Sequence, residues 1–575
     1  MHCCMAGRRS CWTRMCGWAL YGRCAGCWNW VEDADHSMTR SPGPRECRAQ
    51  HTHMERTGHH TEVKMDTRLE VIVVGGGIAG MACAVQLVEQ AGPRPLRIRI
   101  IAKESVSGSN SFAAQGGMAA VWHPADSTAS HVRDTLTVGE GRNDPAVVRR
   151  VVREGPAVVR TLLGMGAAFD TNEAGQLVLA REGGHTMARV VHHLDRTGAE
   201  IVRVLQRKVH ALPAISVLDE RAVDLIVEHG RCVGVRTLAP GTDRFTDRHA
   251  HVVVLATGGV GQVYQHTTNP PGATGDGIAM AIRANVPLRD MAFVQFHPTA
   301  LYTGETGTAF LISEAVRGAG ATLLRPDGRP LMAGIHPQGD LAPRNVVART
   351  IARVMARTRA PHVWLDTAPI GVRHFAREFP AITARCREQG IRAGRDRIPV
   401  MPAAHYLCGG IRTDGAGRTS LKGLYALGEC AGSGLHGADR LASNSLLEAL
   451  VIPRHAAKCM LRDFPKHTPP PDHTNTGASA TAPTSRATAA MPNSDALRRT
   501  MTMHGGILRT THGLHLALSR MDRANTTVEQ AWQRGDHGED VLVQRNLVAT
   551  SRAILHAALA EPLSIGTHWI NPVRK

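Results

Sequence analysis

The first unbroken apolar run, Val71–Val74, contains no polar position, as a strand covered on both faces requires. Three glycines follow, Gly75, Gly77 and Gly80, and the chain then enters MACAVQLVEQ, a run with helical character. Strand, glycine turn and helix together read as a dinucleotide-binding unit. Gly75 permits the tight turn, Gly77 lets backbone approach a diphosphate, and Gly80 lets helix pack on strand. With Ile78 and Ala79 they present a helix N-terminus, whose N–H groups and dipole favour an anion. A second strand, Leu96–Ala102, ends in Lys103-Glu104. The lysine stands where an NAD site carries an acid for the ribose, which points away from NAD and leaves flavin adenine dinucleotide (FAD) open.

The remaining pattern divides the chain. Val147–Leu163 is amphipathic at helical spacing and stops at Gly164. Val252–Gly259 is a second buried strand running into glycines, and Thr274-Gly275-Asp276-Gly277 opens a helix over Ile278–Ala284. Between them lie a small-residue loop, Ser109–Gly117, of the kind that wraps a cofactor, and a polar turn, Leu179–His185, carrying Arg181, Glu182 and His185. Residues 290–405 turn irregular, with short strands, loops and helices. The α/β pattern resumes at Gly423–Glu429 and closes at Leu435–Glu448. Residues 465–494, rich in Pro, Thr, Ala and Ser, read as a linker, and Ile507–Ala524 and Val541–Leu559 as helices. The expected fold is α/β: a Rossmann-like FAD-binding domain (66–289 and 406–464), an inserted α+β capping domain (290–405) that takes the substrate, and a C-terminal helical bundle domain (495–560).

Charge changes this picture little. The chain carries a net +18, but residues 1–65 hold only nine Lys/Arg against six Asp/Glu, and the rest is spread without a basic run. That argues against nucleic acid and suits an anionic cofactor and small anionic substrates. No stretch approaches the ~18 consecutive apolar residues of a membrane span. Seven of the 13 cysteines precede residue 50; the others are scattered singly, as in a reducing cytoplasm. Residues 1–64 differ from the rest. Cys24 and Cys27, and His51, His53, His59 and His60, have no partner motif at ligand spacing, so no metal site is expected. The segment reads as a disordered or non-native extension upstream of Met54 or Met65.

Nine motifs make the reading specific: SFAAQGG, REGGH, VVVLATGG, TGDGIAM, QFHPTALY, LAPRNVVAR, PAAHYLCGG, GLYALGE and GLHGADRLASNSLLEAL, in this order over residues 70–452. In them the chain resembles the succinate dehydrogenase/fumarate reductase flavoprotein family. Two positions resemble its aspartate-oxidising branch. Asn110 stands where the respiratory enzymes carry the histidine that bonds flavin covalently, so non-covalent FAD is implied. Arg181-Glu182-Gly183-Gly184-His185 replaces their Arg-x-Phe-Gly-Gly. Departures are Asp439, where that branch has Asn, and AEPLSIGTHW after Leu559.

The resemblance implies FAD-dependent oxidation of L-aspartate to iminoaspartate, with O2 or fumarate as acceptor. It also implies quinolinate synthase as consumer of the product, at the start of NAD biosynthesis. The alternative is a respiratory succinate or fumarate subunit. By the same resemblance the dicarboxylate is held by His297, His405 and Arg440, with Arg344 near the reacting carbons as proton shuttle and Glu182 on the ammonium. The cofactor set is Gly75, Gly77, Ile78, Ala79, Gly80, Lys103, Asn110, Ser111, Phe112, Ala113, Ala114, Gln115, Gly116, Gly117, Asp276, Glu429, Ser445 and Leu446. Ser443-Asn444-Ser445 is expected to cap the helix that starts near Leu446, turning its N-terminus to the flavin.

Overall fold

A computed structural model describes residues 68–242, 244–464 and 491–571. The extension over 1–64, with its cysteines and histidines, and the linker up to residue 490 lie outside the described residues. The elements that position the site are, in chain order, β1 (Leu69–Val74), α1 (Ile78–Ala91), β2 (Leu96–Ala102), β3 (Ile215–Asp219), β4 (Val252–Leu255), β5 (Val294–Leu301), α2 (Arg344–Thr358), β6 (Arg397–Leu407), β7 (Leu424–Ala426), α3 (Asn444–Asp463) and α4 (Glu539–Ala560).

Five strands form a parallel sheet in the order β7-β4-β1-β2-β3. Every residue of β1 is buried, because helices cover one face of the sheet and a second apolar cluster covers the other. Gly75 has φ +116°, and a Cβ there would lie 2.2 Å from the Ala256 carbonyl oxygen. A Cβ on Gly80 would lie 2.1 Å from the Gly75 carbonyl oxygen, so α1 leaves the strand at a distance only glycine permits.

A second sheet runs Gly307–Thr308, His266–Thr267, β6, Val363–Asp366, Thr322–Leu324, with β5 antiparallel to β6. It recruits His266–Thr267 from ahead of residue 290, and β6 runs past residue 405. Its strand pairing thus crosses both ends of the 290–405 segment. The β5–β6 ladder shifts register between Gln295 and Phe296, where His405 is the extra residue, and again between His297 and Ala300. Bulges of this kind re-aim side chains.

Some elements differ from the pattern reading. An antiparallel meander (Arg221–Glu228, Arg231–Leu238, Phe245–His249) went unread because its faces are mixed in polarity. The helix expected from Ile507 begins at Thr511, capped by Thr510, whose side chain accepts from Gly513 N. The preceding residues form a loop, because the Arg509 guanidinium is buried and donates to Ala292 O (2.9 Å) and Gly506 O (2.9 Å). The atypical tail is packed: Thr567 N donates to Ala438 O (3.0 Å), and Trp569 lies under Arg349 and Arg353. Among the described residues no helix is long and apolar enough to cross a membrane, and no cluster of metal-ligating side chains forms.

Candidate active site

One cavity is lined both by the glycine turn and by the histidines and arginines of the capping region. On the turn side, Gly77 occupies the N-cap position of α1 with no side-chain cap, and the Ser111 hydroxyl accepts from Ile78 N (3.1 Å). A Cβ on Gly77 would come within 3.1 Å of Ser111 Oγ, so backbone is what the turn offers to the cavity. Helix N-terminus, bare glycine backbone and small-residue loop together fit a dinucleotide diphosphate. Gly75, Ile78, Ala79, Lys103, Asn110, Ala113, Ala114, Gln115, Gly116, Gly117, Glu429, Ser445 and Leu446 line the same cavity, as does Glu104.

Glu429 is enclosed there. Asn110 Nδ2 donates to one oxygen (3.2 Å) and Leu407 N to the other (3.1 Å). Burial pushes its carboxyl up to about 7, partly offset by the Leu407 N–H.

On the other side, seven ionisable side chains come together. Arg344 Nε donates to Glu314 (2.7 Å), and Arg317 holds the other Glu314 oxygen (2.8 Å). Burial opposes both charges of the Glu314–Arg344 pair, and their mutual attraction outweighs it. Glu314 falls to about 2 and Arg344 is raised. Arg440 lies over the Tyr406 ring (4.5 Å to the centroid) and donates to Ser445 Oγ (2.8 Å). The two bulges bring the His297 and His405 rings to 5.1 Å. Burial, and then the nearby guanidiniums, hold both imidazoles well below their usual pKa, so they are neutral. Thr299 N occupies His297 Nδ1 (3.2 Å), which leaves buried Nε2 without a protein partner. Glu182, 2% exposed, is pushed up by burial against the pull of Arg344.

Three residues stand elsewhere than the motif reading puts them. Ser443 is the N-cap residue of α3, but its hydroxyl donates to Glu182 Oε2 (2.5 Å) and accepts from Gly117 N (3.2 Å) instead of capping the helix. The tertiary partner outcompetes the local one because Glu182 is buried and needs a donor. Asp276 does not line the cavity; it sits behind Lys103, accepting from Lys103 Nζ (2.7 Å) and Asn546 Nδ2 (3.0 Å). Phe112, 40% exposed, also lies off the cavity, and Gly80 acts through packing alone. Two residues were missed. Glu314 sits within SEAVR, where only charge at helical spacing shows. Gln295 opens the QFHPTALY motif but is given no role by it, yet its Oε1 accepts from Arg344 and Arg440.

Fold and cavity define an FAD-binding flavoprotein, and a family model described as FAD binding domain matches residues 70–446. The quinol fumarate reductase FrdA of E. coli superposes with a TM-score of 0.77 at 27% identity, covering 88% of this chain and 92% of that one. Mycobacterium smegmatis Sdh1 gives 0.73 at 30% identity, covering 87% and 88%. The L-aspartate oxidase of Streptomyces coelicolor is 40% identical over 521 residues, 87% of this chain and 88% of its own. L-aspartate oxidase 1 of Ralstonia nicotianae is 41% identical over 524 residues, 87% and 94%. The chain belongs to the L-aspartate oxidase family.

Proposed function

We propose that the protein oxidises L-aspartate to iminoaspartate with FAD as cofactor and O2 or fumarate as acceptor, the first step of NAD biosynthesis by the quinolinate route. One observation carries the reading. Two guanidiniums, two neutral imidazoles and the buried Glu182 share a cavity with the glycine turn. When bound, FAD supplies the two-electron acceptor for the hydride on Cα.

Arg344 and Arg440 match the two carboxylates of the substrate, and the neutral imidazoles of His297 and His405 add N–H donors. Glu182 pairs with the ammonium that distinguishes aspartate from succinate. In fumarate reduction Arg344 is the proton donor. Enclosure excludes water, which strengthens each of these contacts. Residues 66–289 and 406–464 are assigned to FAD and 290–405 to covering the substrate. Asn110, lacking a nucleophilic ring nitrogen, supports FAD held without a covalent bond. Iminoaspartate hydrolyses in water, which suits direct transfer to quinolinate synthase in the cytoplasm, and lack of co-elution of the two enzymes counts against such transfer.

The test is anaerobic bleaching of the flavin by L-aspartate, D-aspartate and succinate in parallel. L-Aspartate should bleach it fastest. Equal or faster bleaching by succinate overturns the reading in favour of a respiratory subunit.

A further inference from the structure

The residue that organises the two cavity arginines is buried behind them. Asp439 is fully buried, and every hydrogen-bonding group that faces its carboxylate is a donor. Its Oδ1 accepts from Gln295 Nε2 (2.6 Å) and from Arg440 N (3.0 Å). With Nε2 committed there, Gln295 Oε1 points the other way. It accepts from Arg344 Nη1 (3.2 Å) and from Arg440 Nε (3.2 Å) and Nη2 (3.1 Å). The second Asp439 oxygen accepts from Asn345 N (3.2 Å), in the first turn of α2. That helix has Pro343 at its N-cap and no side-chain cap of its own, and its first residue is Arg344. Asp439 therefore caps it from a distant part of the sequence, where a negative charge also suits the helix dipole.

We propose that Asp439 is a positioning residue for dicarboxylate binding: its carboxylate fixes the start of α2 and the amide of Gln295, and through them both guanidiniums. The proposal rests on reading Arg344 and Arg440 as the substrate-binding pair. A carboxylate suits the position because it only accepts. Where the aspartate-oxidising branch carries an amide that cannot change its charge, this chain carries a group that can: once protonated, the carboxyl sets a donor against one of the three donors already present.

The surroundings make this switchable by pH. Charged and titratable groups facing Asp439 are Arg344 and Arg349 from α2, Arg440 from its own loop and the Cys408 thiol just beyond β6. Glu140 approaches through Asn345 Nδ2 (3.1 Å), and in the C-terminal tail His568 Nδ1 is taken by Arg509 (2.6 Å). Burial pushes the Asp439 carboxyl up to about 6, against the pull of Gln295, Asn345 N and Arg344. It is ionised at pH 8 and mostly protonated at pH 5.5. Burial and the neighbouring guanidiniums hold His297 and His405 well below their usual pKa in wild type and variant alike. Glu429 titrates in wild type and variant alike, so the difference between the two isolates Asp439.

The experiment compares wild type with the isosteric D439N in the FAD-loaded protein, reading the succinate Kd by calorimetry and KM and kcat for L-aspartate at pH 5.5 and 8. Wild-type Kd and KM should rise about three- to tenfold from pH 8 to 5.5, the effect of one weakened hydrogen bond. D439N should lose that pH dependence, with kcat changed less than about twofold. A D439N protein that keeps the wild-type pH dependence overturns the proposal. So does wild type whose succinate Kd is the same at pH 5.5 and 8. Wild type that binds succinate with this pH dependence but does not turn over L-aspartate would refute the functional reading and leave this one standing.

Discussion

Glu182 carries the question of substrate choice. Its carboxylate is buried, shares a hydrogen bond with Ser443 and is drawn towards ionisation by Arg344. Beside an ammonium it forms a charge-assisted bond; beside the methylene of succinate it is left without that partner. Discrimination of this sort is worth ~1–3 kcal/mol, roughly ten- to a hundredfold. Glu182→Gln keeps the shape, and one amide hydrogen bond to Ser443 remains available. The kcat/KM for aspartate should therefore fall by about that factor while fumarate reduction stays level. A parallel fall in both rates, measured on the same preparation, would make Glu182 a packing residue.

At the scale of elements, the junction of β1 and α1 sets the geometry of the cofactor end. The Gly80 Cα faces the Gly75 carbonyl so closely that a methyl group would have to displace backbone, which does not yield as a flexible side chain does. Overpacking of this kind costs about 1–3 kcal/mol. Because the strain falls on the turn, Gly80→Ala should lower the melting temperature and release FAD at lower denaturant than wild type. FAD retention equal to wild type in an equilibrium dialysis series counts against the junction as the determinant. The β5–β6 pair works differently. Its two register shifts, not its hydrophobic pattern, bring His297 and His405 together.

At the scale of the molecule, the terminal helices reach the cofactor end through a chain of polar contacts. Arg283 donates to Asn546 Oδ1 (2.9 Å), Asn546 donates to Asp276 (3.0 Å), and Asp276 holds Lys103, which lines the cavity. Burial raises the cost of the Asp276 charge, and Lys103 more than repays it, so its pKa is lowered. Removing one donor from a buried carboxylate costs about 1–3 kcal/mol. Asn546→Ala should thus weaken FAD binding about tenfold while changing KM for aspartate less than twofold, as read by FAD titration of the apoprotein and by steady-state kinetics. A shift in KM with FAD affinity unchanged would refute that route.

The sequence by itself determined the dinucleotide unit, since an apolar strand, three glycines and a helix are local and each glycine has a local steric cause. It also brought out His297, Arg344, His405 and Arg440 as candidate site residues, because their motifs are legible in one dimension, and all four line one cavity. Tertiary structure alone decided what those residues contact. Gln295, Glu314 and Asp439 act on the arginines across 30 to 145 positions of sequence, and no period or propensity registers such a contact. Ser443 shows the same limit: the local rule makes it a helix cap, but a buried carboxylate 261 residues away takes its hydroxyl. Local pattern reports which backbone conformation a residue favours, whereas the partner of a buried polar atom is set by whichever donor or acceptor the fold brings within reach.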